Sequence, residues 1–266
     1  MKVNGMKLLK SSSKKSPLKA KPLRVAGQSV DERIRNIIDD KGTNYAVLAV
    51  FPAVLAGMEW YRWYVDAPYS PWLYTIIAAI LCPIGVYKAF KLKKDLVKLK
   101  LGRDGEKAVG QYLESFREQG CKVFHDIVGD GFNLDHVVIS KNGIFVIETK
   151  TYSKPSKGKA TIQHNGSELI IDGFNAGSDI LNQVRAQAHW LHSLIEEMTG
   201  KSYSIKPVVV FPGWFIQSNN IRSDVWVLNP KALGTYISNS QQVLTSEKVS
   251  FLSYSVSQYI RSNEHK

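Results

Sequence analysis

The sequence predicts a mixed α/β domain preceded by two membrane-spanning helices. Three observations lead there. Two uncharged apolar runs lie near the N-terminus between clusters of lysine. From Gly102 the pattern switches to alternating strand-like and helical segments. Within that part an Asn-Gly pair separates two β-branched runs, a strong hairpin signal.

The chain has 266 residues, 44% of them hydrophobic, so it has room for one sizeable domain and an appendage. A net charge of +12 points to a polyanionic partner: nucleic acid, an anionic membrane face, or both. The excess is uneven: Lys2, Lys7, Lys10, Lys14, Lys15, Lys19, Lys21 and Arg24 precede the first acid, Asp31, and Lys88, Lys91, Lys93, Lys94, Lys98 and Lys100 follow the apolar region. Cys82 and Cys121 provide neither a disulfide framework nor metal-ligand spacing, which favours a reduced, cytoplasmic setting for the folded part.

Residues 1–28, rich in Lys, Ser and Pro, are expected to form a disordered basic tail. Residues 29–43 form a short amphipathic segment with Ile34, Ile37 and Ile38 on one side. Residues 44–90 are expected to be a transmembrane helical hairpin. Tyr45–Met58 and Pro71–Tyr87 are free of charge, and aromatic margins bring each near the ~20 residues a span needs. Lysines outside both ends place the two termini and the following domain on the cytoplasmic side of a bacterial inner membrane. Pro52, Pro83, Glu59 and Arg62 leave open two buried helices or a re-entrant hairpin. Residues 91–101 read as a basic linker, 102–230 as the α/β domain, and 231–266 as its helical extension.

Within the domain, Glu106–Glu118 has helical spacing, and Cys121–Ile127, Leu134–Ile139 and Ile144–Lys150 read as strands. Thr161–His164 and Glu168–Ile171 flank a second Asn-Gly turn. A long helix over Ser178–Met198 ends at Gly200, followed by strands Val208–Phe211 and Val225–Leu228 and helices around Lys231–Ser238 and Glu247–Arg261.

If Asn142 and Gly143 are the central residues of a two-residue turn, Lys141 pairs with Ile144 and Asp135 lies opposite Lys150. Strand side chains alternate, so Asp135, Glu148 and Lys150 share a face at the end away from the turn. Two close carboxylates suit a hard divalent cation. A lysine beside them can orient water and offset charge developing on a phosphate. The bland reading is a surface salt bridge. The tripeptide alone decides nothing, since Asp39-Asp40-Lys41 also satisfies it without a partner strand.

Four segments resemble the nuclease-related domain (NERD) family of the PD-(D/E)xK restriction-endonuclease-like superfamily. They are Gly102-Arg103-Asp104-Gly105-Glu106, Asp135-His136-Val137-Val138, Ile147-Glu148-Thr149-Lys150, and Gln183 on the long helix. Leu134 stands where the superfamily has proline, and Asp179-Ile180 where the family often has Asn-Pro. The resemblance implies a mixed central sheet flanked by helices. It implies Mg²⁺ or Mn²⁺ bound by Asp135 and Glu148 with Thr149, water positioned by Lys150, and Glu106 and Gln183 completing the catalytic set. The implied function is a membrane-anchored nuclease whose partners are nucleic acid, DNA in preference to RNA, and membrane lipid through residues 44–90. The rival is a non-catalytic nucleic-acid- or protein-binding module on the same tether.

Other residues carry weaker signals. His189 and His192 lack further metal ligands at suitable spacing, and His136 should face away from Asp135. Arg185 and Gln187 fit either a nucleic-acid surface or a solvated helix face. Trp214 and Phe215 fit base stacking or packing, and Lys154, Lys157 and Lys159 a phosphate track or a plain soluble loop.

Overall fold

The computed structural model describes residues 22–155, 158–218 and 223–263. Most of the expected basic tail, residues 1–21, and Lys157 lie outside the described residues.

The short amphipathic segment is helix α1 (Gln28–Ile37), which buries Ile34 and passes through one wider turn, Ile38–Gly42, into α2 (Thr43–Tyr64). The chain reverses and enters α3 (Pro71–Glu114). α2 and α3 lie antiparallel: Trp60 Nε1 donates to Thr75 Oγ1 (2.9 Å), and the Lys88 ammonium sits over the Tyr45 ring. At Gly85 the backbones nearly touch, since a Cβ there would fall 2.5 Å from Ala49 N. The outer surface of the pair stays apolar and bare, including Val50, Phe51, Leu73, Ile76, Ile80 and Phe90.

Among the described residues, the helix beginning at Pro71 is the one long and apolar enough to cross a membrane by length and composition. α2 has the length but is diluted by Asn44, Tyr45, Glu59 and the Trp60–Tyr64 stretch, so the expected two spans reduce to one candidate. Glu59 is tied down at the connector, accepting from Ser70 N (2.9 Å) and Arg62 (2.7 Å).

Two expected boundaries differ. The basic linker at 91–101 is helix, so α3 runs without a break from the apolar run into the domain. Leu92, Leu96 and Leu99 recur at helical spacing among the lysines, and that periodicity outweighs the charge. The end of the basic tail is also docked. Leu23 packs on the domain core, Ala26 is buried against Gly110, and Arg24 Nε donates to Asp126 Oδ2 (2.9 Å). α1 adds ion pairs from Asp31 to Arg103 (3.0 Å) and Lys107 (2.6 Å).

The domain is a mixed α/β fold with two sheets. β1 (Lys122–Val128), β2 (Asn133–Ser140), β3 (Gly143–Thr149), β7 (Ile205–Val210) and β9 (Trp226–Leu228) form a five-stranded sheet in the order β1-β2-β3-β7-β9. The first three pair antiparallel and the rest parallel. β4 (Thr161–His164), β5 (Leu169–Ile171), β6 (Phe174–Gly177) and β8 (Phe215–Ser218) form the second, in the order β6-β5-β4-β8. The end of α3 and α5 (Leu233–Ser238) cover one face of the large sheet through Val109, Leu113, Phe116, Leu233 and Ile237. α4 (Asp179–Thr199) and α6 (Ser246–Asn263) cover the other through Leu181, Val184, Leu191, Leu252 and Val256. α4 ends at Gly200, whose φ of 65° needs no Cβ.

The β2–β3 register departs from expectation. Ser140 pairs with Gly143 and His136 with Ile147, so the turn residues are Lys141 and Asn142. Asn142 does not take the positive φ a type I′ turn demands, and Gly143, with φ 134°, is already the first residue of β3. Tertiary contacts select this turn, because the Lys141 carbonyl accepts from Val243 N (2.8 Å) and Leu244 N (2.9 Å). The offset from the expected pairing is two residues, one full pleat, so every side chain keeps its face.

Gly85→Leu is expected to force α2 from α3 and cost about 1–3 kcal/mol, as overpacking does. Gly57→Leu, where a Cβ meets nothing within 4 Å, should leave stability unchanged. Thermal unfolding of both variants in detergent checks this; equal melting temperatures would show that the close approach does not matter.

Candidate functional site

Extending the β2–β3 register one rung past His136–Ile147 sets Asp135 against Glu148, on the face covered by α4. Glu148 is 4% exposed, too buried for a carboxylate without partners. It has three. Lys150 Nζ donates to Oε1 at 2.6 Å, Gln183 Nε2 to Oε1 at 2.8 Å, and Gln187 Nε2 to Oε2 at 2.7 Å. Lys150 also donates to Gln183 Oε1 (2.9 Å), closing a ring of three side chains. Gln187 reaches from Glu148 to the carbonyl of Asn133 (3.2 Å), so one glutamine joins α4, β2 and β3. Asp135, half-buried, accepts from Thr149 N (2.7 Å) through Oδ2.

Glu106 enters from the other side of the strand end on α3. Its approach depends on Gly105, where a Cβ would run into the Thr151 side chain, whereas Gly102 faces open space. Burial first, then the charges of Asp126 and Glu148, push the Glu106 carboxyl up to about 7. Burial also raises Asp135 well above the usual carboxylate range, with Glu148 and Glu106 adding to it; the Thr149 N–H and Lys150 oppose. Burial alone would lower Lys150, but the Glu148 charge and hydrogen bond leave it raised.

Thr149 presents only its main chain to the carboxylates. By strand alternation its side chain faces the α3 side, where the hydroxyl is buried without a hydrogen-bond partner. Among the described residues, no group of three or more His, Cys, Asp or Glu side chains converges enough to hold a metal ion. The donor chemistry nonetheless suits a hard divalent cation: the acids supply oxygen only, and although burial is the main reason Asp135 and Glu106 are raised, the Glu148 charge adds to both, a repulsion a cation would relieve.

Two partners were not legible as such. Gln187, read from sequence as surface, is 3% exposed and bound to Glu148. Its signal was its place one helical turn after Gln183. Asp126 lies across from Asp135 in the β1–β2 register and takes a φ of 52°, a left-handed conformation that Asp tolerates better than most residues. Besides Arg24, its carboxylate accepts from Ser29 N (2.7 Å) and Ser29 Oγ (2.8 Å), a long-range clasp with no local signature.

The weaker candidates divide. Arg185 pairs with Asp224 at the surface (2.7 Å), and Trp214 is buried. Phe215 is exposed and carries the Lys159 ammonium 3.5 Å from its ring centroid. His136 is buried on the opposite face, its Nδ1 2.8 Å from Nδ1 of His125, which reaches Glu114. His189 and His192 stack on each other, and His192 is held by the carbonyl of Tyr203.

Paired carboxylates and a lysine thus stand at one strand end of a mixed α/β fold. Residues 101–212 match the family model of the nuclease-related domain, which supports the NERD family for that part of the chain. The match contains every residue of the carboxylate site and stops before β8, β9, α5 and α6, which complete the core. An uncharacterized protein of Bacillus anthracis is 35% identical over 82 residues, 29% of this chain and 36% of that protein. The chain thus spans about a third of that relative's length. No solved structure matches the chain at a significant level.

The folded-state pKa of Glu106, about 7, lies above its ordinary value of 4.5. Its contribution to stability is therefore fully present below pH 4.5 and lost as pH rises through 7. The loss is expected to be roughly 1–3 kcal/mol. In thermal unfolding of the full chain without divalent cations, Glu106→Gln should flatten the decline between pH 5 and pH 8, leaving the part due to Asp135. An unchanged slope would contradict the placement of Glu106.

Proposed function

We propose that the protein is a membrane-anchored, metal-dependent nuclease that hydrolyses phosphodiester bonds in nucleic acid, DNA in preference to RNA. The observation that carries this reading is the ring of Glu148, Lys150 and Gln183 beside Asp135, within the segment matched to a nuclease-related family. Asp135, Glu148 and the main chain of Thr149 are the residues that would hold Mg²⁺ or Mn²⁺. Such an ion, when bound, supplies polarisation of the phosphate and activation of water. Lys150 directs its ammonium at the attacking water and offsets negative charge on the phosphate oxygens. Gln183 fixes that ammonium from α4. Glu106, titrating near neutrality, holds or releases a proton at the rim.

The anchor is the apolar start of α3, with α2 beside it as a second span. Two supports are the bare apolar surface of the pair and the tryptophans Trp60, Trp63 and Trp72 clustered at the connector end. The lysines after Tyr87 support a topology with both termini and the domain on the cytoplasmic side.

One observation favours the non-catalytic module instead: both oxygens of Glu148 are already satisfied by protein donors. A nuclease assay separates the two readings. The full chain in detergent, with Mg²⁺ or Mn²⁺, is expected to cut plasmid, linear duplex or single strands, and a chelator should stop it. Lys150→Ala should lower cleavage by at least about 100-fold while nucleic-acid binding changes little. Cleavage by the variant at the parent rate would contradict the role of Lys150; a parent that binds but never cuts would establish the binding module.

A further inference from the structure

We infer that the cleft beside the carboxylate site receives one unpaired nucleotide of the substrate strand, making single-stranded or frayed nucleic acid the preferred ligand. This rests on the nucleic-acid part of the reading above. The cleft measures about 680 Å³ and is lined by Thr151, Tyr152 and Ser153, which follow Lys150 in the chain. Phe174 at the start of β6 and Lys98 of α3 also line the space. That volume is within the range of small-ligand sites.

Its chemistry suits a base with its phosphate. Tyr152 is 39% exposed yet fixed, stacked on Phe211 (6.2 Å between centroids) with its carbonyl accepting from Trp214 Nε1 (3.3 Å). Phe174 is 78% exposed, leaving its ring accessible to a base. Two accessible aromatic side chains, Tyr152 and Phe174, line one cleft and offer stacking that any base can use. The charges complement a strand: Lys98 lines the cleft, and Lys154 lies against Gly213, the neighbour of lining residue Trp214. The one acid on the lining is Asp172.

The position gives the cleft its meaning. Thr151 on its lining directly follows Lys150 and packs against Gly105, the neighbour of Glu106, so a phosphate linked to a base held there would reach toward that acid and lysine. A base inside a duplex is stacked and paired and cannot enter without being turned out. The cleft therefore selects strands whose bases are already free.

The test uses the full chain in detergent with a chelator present, so that binding is read without cleavage. The probe is a single-stranded DNA oligonucleotide bearing 2-aminopurine, compared with its duplex. The expected result is quenched fluorescence with single-strand affinity at least about tenfold above duplex. Phe174→Ala should lose about 5- to 100-fold of that affinity and the quenching, with no change in melting temperature. Lys98→Gln should weaken binding and its salt dependence, and Tyr254→Ala, a bare aromatic on α6, should change nothing. Equal binding by parent, Phe174→Ala and Lys98→Gln, or duplex bound as tightly as single strand, would overturn the inference. A parent that binds through Phe174 yet never cuts would sink the nuclease reading alone; one that cuts while Phe174→Ala binds normally would sink the cleft alone.

Discussion

A carboxylate with almost no solvent contact is the constraint around which the domain is arranged. Glu148 is the last residue but one of a strand buried on both faces, and burying its charge demands donors from elsewhere. Those donors come from the same strand through Lys150 and from α4 through Gln183 and Gln187. Satisfying one oxygen pair thus fixes the rotation of a 21-residue helix and, through the Asn133 carbonyl, its height against β2. The same requirement draws Asp135 and Glu106 into the field of Glu148, which helps to raise both. Structure and candidate chemistry share one interaction.

The second constraint is mechanical. Because α3 continues from its apolar start to Glu114, the apolar run and Glu106 are parts of one rod. From Phe90, where the apolar stretch ends, to Glu106 the rise is roughly 24 Å at helical pitch. The return clasp reinforces this: Arg24, Ser29 and Asp31, which precede α2, grip Asp126, Arg103 and Lys107 at the base of the domain. The domain is held to the helix pair from both chain directions, so its acids sit at a set distance from that pair.

How much of this was legible in the sequence depended on how local each signal was. The common face of Asp135, Glu148 and Lys150 follows from strand alternation, and it survived an incorrect turn because the pairing moved by an even number of residues. The turn itself was misread because its geometry is chosen by Val243 and Leu244, a hundred residues away. Lysine density hid the helical spacing of Leu92, Leu96 and Leu99. β6 and β8 went unread: they are short, and β8 finds its partner β4 some fifty residues back. Gln187 and Asp126 are polar residues whose roles appear only when distant elements meet.

Whether the acids at this strand end hold a cation is decided by calorimetric titration of the full chain with Mn²⁺. A saturable site is expected that vanishes in both Asp135→Asn and Glu148→Gln while each variant remains folded. Absence of binding by the parent, or binding that persists in either variant, would contradict it and leave Glu148 with a structural role alone.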